Sequence, residues 1–473
     1  MNNKDILRKL SYVLMPVSGM IFLLWYVRSA GYDVVYTDYI RLIAEYLPDV
    51  GDIRRLLVPD ILTRIPATFL ARFINYSSFG FSVTFDRLLA IGGIGLMAIV
   101  LALYSYKYKV GYGWQAVIFI VLFSLNKWEI LLNGTAWAHV VSFGLFFINY
   151  YLMDRLWRGE TGSKEELMLF LMPVLLLLIA GEYIASYAVT MIFMSLLGIL
   201  MGGAGGSTRG KERSLYKGIL FMTALALILY MISRHFAVWE HSGATDKGIL
   251  EVISEDPWYI PRFFFNTFAG AVIGQETVMN FFGNGEPLPE ALVTVTGVIM
   301  FLSYLAALYA YVRSGLYEVT VFPAILVISG FGNHMLVTLG RWIFLDTAYA
   351  LSSRYAGQFM IGLIGIVLIF ALYRTQKREL KGFGRTEKRV LGACTLTAVV
   401  LIIAGNCYTT YQEIGKAPYR EANYAHMAEV IRNYDQYGTE ELKKELEWTK
   451  DSETLLKALK ILKDNKLNVF GRP

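Results

Sequence analysis

The residues best suited to chemistry in this chain are two carboxylates that follow its first apolar run. Asp33 and Asp38 lie in the tyrosine-rich stretch 31–39, shortly after that run ends near Val27. A carboxylate this close to the end of a membrane helix is poorly hydrated, and desolvation makes it a better general base. We predict that Asp38, or else Asp33, is a catalytic base. The simpler alternative is a solvated aspartate in an interfacial turn.

Arginines beside the apolar runs form a second group of candidates. Arg54, Arg55 and Arg64 follow the first run, and Arg341 and Arg354 lie late in the chain. The planar, forked donors of a guanidinium group are well suited to phosphate. An arginine at the end of an apolar run, such as Arg354, usually faces a cavity or an anion. The alternatives are contact with lipid headgroups for the early arginines and snorkelling to the interface for Arg354.

Glu182, Tyr355 and two histidines, His139 and His334, complete the set of candidates. Glu182 is a carboxylate in a turn between two apolar runs, and Tyr355 follows Arg354 among polar donors. A single histidine more often has a structural role than a catalytic one. The chain has two cysteines, no Cys-x-x-Cys pair and no His/Cys ligand spacing, which argues against a disulfide framework and a zinc site.

The composition assigns these residues to a membrane protein and excludes a soluble globular enzyme. Hydrophobic residues make up 55% of the 473 positions and charged residues 17%, whereas about 25% of a soluble domain is charged. Long apolar runs without strand alternation predict an all-α polytopic membrane protein. We predict about eleven transmembrane helices, near residues 11–27, 87–106, 113–126, 136–153, 167–180, 184–201, 218–233, 291–312, 319–335, 357–373 and 390–405. A tight turn at 181–183 separates the fifth from the sixth.

The distribution of lysine and arginine predicts the orientation of these helices. With the N-terminus inside, the internal segments hold 20 of these residues and the short external segments hold 3, as the positive-inside rule requires. The C-terminus is then outside, with long external loops at 28–86 and 234–290. We therefore predict a transmembrane domain over 1–405, with surface helices in the first loop, and a small helical extracytoplasmic tail over 406–473.

Together these features resemble the GT-C superfamily of glycosyltransferases, which use polyprenyl-phosphate sugars. The shared features are about eleven helices, an inside N-terminus, a long first external loop with surface helices, and an early acidic residue in that loop. More closely, the chain is similar to bacterial membrane proteins of cell-surface polysaccharide loci. The matching positions are Asp38, Arg54-Arg55, Gly340-Arg341, Ser353-Arg354-Tyr355 and Leu467-Asn468-Val469-Phe470. The chain departs from the pattern at Ile53, where a histidine is expected, and it lacks the paired acidic residues of some members.

The resemblance implies sugar transfer from a polyprenyl-phosphate donor to a surface glycan or lipid-linked acceptor, by single displacement with inversion. Asp38 would be the base, with Asp33 as the second choice, and the donor phosphate would bind arginines. The phosphate-binding arginines would be Arg54, Arg55, Arg341 and Arg354. The further candidates for the site are Glu182, Tyr355 and Arg64. The resemblance also implies a multi-pass protein of the bacterial plasma membrane, with its active site on the extracytoplasmic face.

The expected partners are the lipid-linked sugar donor, the glycan acceptor and membrane lipids, and no nucleic acid. Some members of the superfamily need a divalent cation and others do not. No ligand cluster is visible here, so we predict no metal and no other cofactor.

Two other functions remain open. A polysaccharide polymerase or ligase would also place arginines at the outer face; the long first loop favours a transferase, whereas the loop at 234–290 suits the alternative. A lipid or small-molecule transporter is the third possibility. Transporters often show paired halves and broken helices, and the sequence shows no convincing internal repeat.

Overall fold

The protein is all-helical throughout the part that the structure, a computed structural model, describes. The described residues are 3–47, 49–57, 66–202, 209–236, 243–282, 290–375 and 383–471. They form 19 α-helices and several 3-10 segments and contain no β-strand. In chain order the helices are α1 (Asn3–Ala30), α2 (Asp38–Tyr46), α3 (Pro66–Phe79), α4 (Val83–Lys107), α5 (Tyr112–Phe123), α6 (Trp128–Leu132), α7 (Trp137–Trp157), α8 (Ser163–Leu177), α9 (Ile184–Met201), α10 (Arg209–His235), α11 (Ile249–Glu255), α12 (Tyr259–Gly270), α13 (Gln275–Phe282), α14 (Glu290–Arg313), α15 (Phe322–Arg341), α16 (Ser353–Thr375), α17 (Arg385–Arg432), α18 (Thr439–Glu445) and α19 (Ser452–Asp464).

Within the described ranges, ten helical segments are long and apolar enough to cross a membrane. They are centred on α1, α4, α5, α7, α9, α10, α14, α15, α16 and α17, and they overlap ten of the eleven predicted spans. The prediction of an all-α polytopic membrane protein is therefore confirmed. The remaining predicted span, 167–180, corresponds to α8, which has 15 residues, whereas a span needs about 20.

The predicted turn between the fifth and sixth apolar runs is confirmed. After α8 ends at Leu177, a 3-10 segment over Gly181–Tyr183 leads into α9. Gly181 has φ +56°, a left-handed conformation that glycine adopts without steric cost. The turn thereby brings Glu182 to the same end of the bundle as the start of α9.

Successive long helices run in opposite directions, so that the candidate residues at their ends lie at one end of the bundle. We call it the Asp38 end. It contains the last residues of α1 and α15 and the first residues of α4 and α16. The apolar stretch of α16 is buried along its whole length, so its N-terminus emerges at the centre of the bundle. Which side of the membrane the Asp38 end faces stays a prediction.

Glycines allow α4 and α7 to approach each other closely. A Cβ atom added to Gly93 would lie 2.7 Å from the carbonyl oxygen of Val140 on α7, and one added to Gly144 would lie 2.8 Å from the carbonyl oxygen of Gly93. Small residues at such crossings let membrane helices pack backbone to backbone. His139 and Phe143 of α7 line the candidate site, so this contact positions one of its walls.

We expect Gly93→Ala to lower the free energy of unfolding by about 1–3 kcal/mol, because the added methyl group overpacks a backbone contact that has no side chain to move aside. Gly92→Ala is the matched control, since no atom lies within 4 Å of a Cβ at that exposed position. Thermal melting of both variants in detergent measures the difference. Equal melting of Gly93→Ala and wild type would contradict the assigned packing.

The last helix extends well beyond the bilayer. With 48 residues, α17 is about 70 Å long, more than twice the hydrocarbon thickness of about 30 Å. It is continuous across residue 406, where we predicted the tail to begin, and the division into two domains stays a prediction. The tail then folds back, so that the backbone N–H of Thr37 donates to the carbonyl of Leu446 at 3.0 Å.

The first loop is helical where it is described. It contains α2, a 3-10 segment over Ile53–Leu57 and α3. Residues 58–65 of the predicted surface helices, which include Arg64, lie outside the described residues. That these helices lie on the membrane surface stays a prediction.

Candidate functional site

A cavity of about 260 Å³ at the Asp38 end brings together segments that are distant in sequence. Five of the predicted site residues line it, and so does His139. The full lining consists of Asp38, Glu129, Ile130, Asn133, Thr135, Ala136, His139, Phe143, Glu182, Tyr183, Arg341, Phe344, Tyr349, Arg354 and Tyr355. Carboxylates and guanidinium groups therefore share one concave site, whose walls also carry several aromatic rings.

Asp38 is held by its neighbours on both sides. It begins α2, and the preceding Thr37 has φ 44°, a strained conformation for a β-branched residue. Tyr36 and Tyr39 are buried; the Tyr36 hydroxyl lies 3.2 Å from that of Tyr424, and the Tyr39 hydroxyl donates to Asp86 at 2.7 Å. Burial raises the pKa of both tyrosines, so they act as neutral anchors on either side of Asp38.

Glu129 is a member of the site that the sequence reasoning missed. It lies in α6, and its carboxylate forms an ion pair with Arg354 and accepts a hydrogen bond from the Ser353 hydroxyl at 3.0 Å. Arg354 is therefore fixed at the cavity by a protein carboxylate. The available signal was a carboxylate near the end of an apolar run, because such residues are expensive in a membrane and usually have a partner.

Arg341 is the second guanidinium group in the cavity. Its Nε donates to the hydroxyl of Tyr355 at 2.8 Å, which ties the end of α15 to the start of α16. A smaller adjoining cavity of about 80 Å³ shares Arg341, Tyr355 and Glu182 with the first and extends to Arg234 on α10. Two arginines and a tyrosine hydroxyl thus offer donors to an anion.

Asp33, the second choice for the base, is placed differently from Asp38. Its Oδ1 accepts hydrogen bonds from the backbone N–H of Val83 at 2.6 Å and of Thr84 at 3.3 Å, and its Oδ2 accepts one from the Ser82 hydroxyl at 2.8 Å. These contacts satisfy free N–H groups at the start of α4, as a capping carboxylate does. Asp33 is not among the residues that line the cavity.

The early arginines are also placed away from the cavity where they are described. Arg54 has a side chain that is 87% exposed and pairs with Asp52 at 2.7 Å, and it is not part of the cavity lining. The side chain of Arg55 and all of Arg64 lie outside the described residues. The structure thus brings Arg341 and Arg354 to Asp38 but leaves Arg54 apart from them.

The two histidines differ in their surroundings. His334 is fully buried, stacks between Phe268 and Phe359, and has hydroxyl partners on both ring nitrogens, which indicates a structural role. His139 lines the cavity, packs on Tyr183, and has a buried Nδ1 without a hydrogen-bond partner. His139 therefore belongs to the wall of the cavity and has one unpaired ring nitrogen.

The returning tail contributes a carboxylate close to the site. Burial raises the pKa of the partly exposed Glu447, and the like charge of Glu129 raises it further, whereas Arg354 and Arg420 oppose the shift. The residue has φ 52° and follows Leu446, whose carbonyl binds Thr37. Folding therefore makes the charged form of Glu447 less favourable than it is in the unfolded chain.

A raised pKa means that this group supports folding most below about pH 4, where glutamate is protonated in both states, and progressively less as the pH rises. We expect Glu447→Gln to be more stable than wild type at pH 8, by less than about 1 kcal/mol because solvent screens the charge. The advantage should vanish near pH 4. Melting curves at both values test this, with the exposed Glu441→Gln as control; an advantage that persists at low pH would contradict the explanation.

No group of three or more His, Cys, Asp or Glu residues in the described ranges is arranged to hold a metal ion. The predicted absence of a metal or other cofactor stays a prediction. The side chains of the cavity can bind an anion through Arg341 and Arg354, and they can accept a proton through Asp38 or a neighbouring carboxylate.

Comparison with known proteins adds a distant likeness. The chain matches no protein-family model and no curated protein sequence. Among solved structures it is similar to the archaeal oligosaccharyltransferase AglB from Archaeoglobus fulgidus, in complex with an inhibitory peptide and a dolichol-phosphate, with a TM-score of 0.39 and 14% identity. The match covers 92% of this chain and 60% of that one, so the chain spans less than two thirds of the oligosaccharyltransferase. A likeness of this size is not evidence of shared activity.

Proposed function

We propose that the protein is a membrane glycosyltransferase that moves a sugar from a polyprenyl-phosphate donor to a surface glycan or lipid-linked acceptor. One observation carries the proposal: Asp38, Arg341 and Arg354, which lie in distant parts of the sequence, line a single cavity at one end of a transmembrane bundle. Such a transfer uses a base for the acceptor hydroxyl and donors for the departing phosphate.

In the proposed reaction, the acceptor hydroxyl attacks the anomeric carbon of the donor sugar. A bond forms between the acceptor oxygen and that carbon, and the bond from the same carbon to the phosphate oxygen breaks. The hydroxyl proton passes to Asp38, and polyprenyl phosphate leaves with the bonding electrons. Because attack and departure occur on opposite faces in one step, the anomeric configuration is inverted.

Arg341 and Arg354 would stabilise the negative charge that builds up on the departing phosphate. Preorganised donors of this kind act most strongly where charge develops in the transition state. The Tyr355 hydroxyl and the Glu129 carboxylate hold the two guanidinium groups in place before the donor binds. Glu182, in the same cavity, can accept hydrogen bonds from hydroxyls of the donor sugar.

The charge distribution of the sequence supports a site on the extracytoplasmic face, since the Asp38 end is the end with few lysines and arginines in its short loops. A plasma-membrane location in a bacterium belongs to the same proposal. It rests on the resemblance to proteins of cell-surface polysaccharide loci.

A deletion strain of the host tests the proposal. We expect one sugar to disappear from the surface glycans of the deletion strain, to return with the wild-type protein, and to stay absent with Asp38→Asn, provided that both proteins reach the membrane equally. Glycans that are unchanged by the deletion, under conditions in which they are made, would contradict glycosyl transfer and favour the transporter. Rescue by Asp38→Asn would contradict only the choice of base.

A further inference from the structure

A second cavity lies beside the first. It has a volume of about 90 Å³ and is formed by the segment that joins α5 to α6, the start of α13 and one face of α17. Glu129 lines both cavities. The two cavities therefore meet at a carboxylate that also holds the phosphate-binding Arg354.

One residue that lines this second cavity, Asn126, has an unsatisfied hydrogen-bond acceptor. Asn126 is 3% exposed, and its Nδ2 donates to the carbonyl of Gly270 at 3.1 Å. Its Oδ1 has no hydrogen-bond partner, and a Cβ atom added to the neighbouring Gly274 would lie 2.8 Å from that oxygen. A buried acceptor without a donor is costly, so this position favours a ligand that brings a hydroxyl or N–H group.

The charges around the cavity are already balanced. Glu276 pairs with Lys416 at 2.8 Å and with Arg420 at 2.7 Å. Glu413 pairs with Arg420 and accepts a hydrogen bond from the hydroxyl of Tyr26 at 2.6 Å. With these cations and carboxylates matched to one another, the cavity has no surplus positive charge to attract a second phosphate.

The remaining lining is rich in neutral groups that both donate and accept hydrogen bonds. Thr277, Thr409, Gln412 and Ser353 line the cavity with hydroxyl and amide groups, and the hydroxyl of Thr277 lies 3.3 Å from that of Thr409. Such groups suit a polyhydroxylated ligand, whose hydroxyls also donate and accept. The small volume limits the ligand to the edge of one sugar ring.

We propose that this second cavity binds the acceptor, through the hydroxyl-bearing edge of a neutral saccharide, and presents one of its hydroxyls to the donor cavity beside Glu129. The inference rests on the proposed glycosyl transfer and adds to it the position and the chemical class of the acceptor. It divides the site into an arginine-lined half for the donor and a neutral, hydroxyl- and amide-lined half for the acceptor.

Gly274→Ala tests the division, because its methyl group would enter the cavity against Asn126 without removing a polar group. Gly415→Ala on α17 is the matched control, since no atom lies within 4 Å of a Cβ there. Thr277→Val, which keeps the shape and removes a hydroxyl, is the second variant in case Gly274→Ala does not fold. Each protein is purified into liposomes with undecaprenyl-phosphate hexoses as donors and methyl hexosides as the acceptor probe.

Two rates are compared: transfer of the hexose to the methyl hexoside, and hydrolysis of the donor by water. We expect the ratio of transfer to hydrolysis to fall about tenfold or more in Gly274→Ala and in Thr277→Val, the effect of one lost buried hydrogen bond, and to stay at the wild-type value in Gly415→Ala. An unchanged ratio in both variants would contradict the proposed acceptor site but leave the proposed glycosyl transfer intact. A wild-type protein that neither transfers nor hydrolyses any of the donors overturns the proposed function, and this inference with it.

Discussion

Replacement of Asp38 by asparagine will lower the rate of sugar transfer by about 10²- to 10⁴-fold, the contribution that a positioned general base typically makes. Asparagine keeps the size of the side chain, so α2 and the anchoring tyrosines should remain in place. The variant should therefore bind donor with little change in KM. Initial rates in liposomes with an undecaprenyl-phosphate hexose measure the effect.

The control for Asp38→Asn is Asp52→Asn in the same loop. Asp52 forms an exposed pair with Arg54, and exposed pairs contribute little to stability. It should transfer sugar at the wild-type rate. If Asp38→Asn retains more than about half of the wild-type activity, Asp38 is not the base, and Glu129 becomes the leading alternative because it lines both cavities.

Replacement of Arg341 by glutamine will lower kcat by about 10²- to 10³-fold, the usual effect of removing one donor from a site where negative charge develops. Arg341→Lys should restore part of that loss, because it returns the charge without the forked geometry. Arg354 is less suitable for this test, since its removal would also leave Glu129 without its cationic partner.

Arg54→Gln is the matched control for Arg341→Gln. The sequence alone gave Arg54 and Arg341 the same role, and the structure separates them: Arg341 lines the cavity, whereas Arg54 points into solvent and pairs with Asp52. We expect Arg54→Gln to change kcat less than about twofold. Equal losses in the two variants would contradict an anion site formed by Arg341.

The sequence was sufficient for the helical architecture because lipid leaves the backbone few alternatives. Apolar runs predicted the positions of ten spans. The glycine at 181 predicted the turn between the fifth and sixth helices, which the hydropathy of the continuous apolar stretch does not show. The same reasoning could not show that α17 continues far beyond residue 405. The part of a helix that lies outside the bilayer need not be apolar, so a hydropathy profile does not reveal where it ends.

The candidate site was partly predictable, since residues at helix ends on one side of a bundle must lie at the same end of it. This reasoning selected Asp38, Glu182, Arg341, Arg354 and Tyr355, which line the cavity, but it also selected Asp33 and Arg54, which do not. It could not choose between Asp33 and Asp38, because only the fold shows that Asp33 caps α4. It missed Glu129 because the residue is tied to the site by its ion pair with Arg354, which lies more than 200 positions away in the sequence.

The acceptor half of the site was beyond sequence reasoning for a similar reason. Asn126, Gly274 and Thr277 belong to no motif, and they acquire a shared role only where α17 brings two loops together. The balance of charge at Glu276, Lys416 and Arg420 is likewise a property of the packed structure. The spacing of these residues along the chain does not predict that they pair.

The most direct test of the central claim is to follow a radiolabelled sugar on undecaprenyl phosphate in liposomes that contain the purified wild-type protein. We predict that the label moves from the lipid to an added saccharide with inverted anomeric configuration, and that free undecaprenyl phosphate appears in equal amount. Label that stays on the lipid while the lipid crosses the bilayer would contradict glycosyl transfer and identify the protein as a transporter.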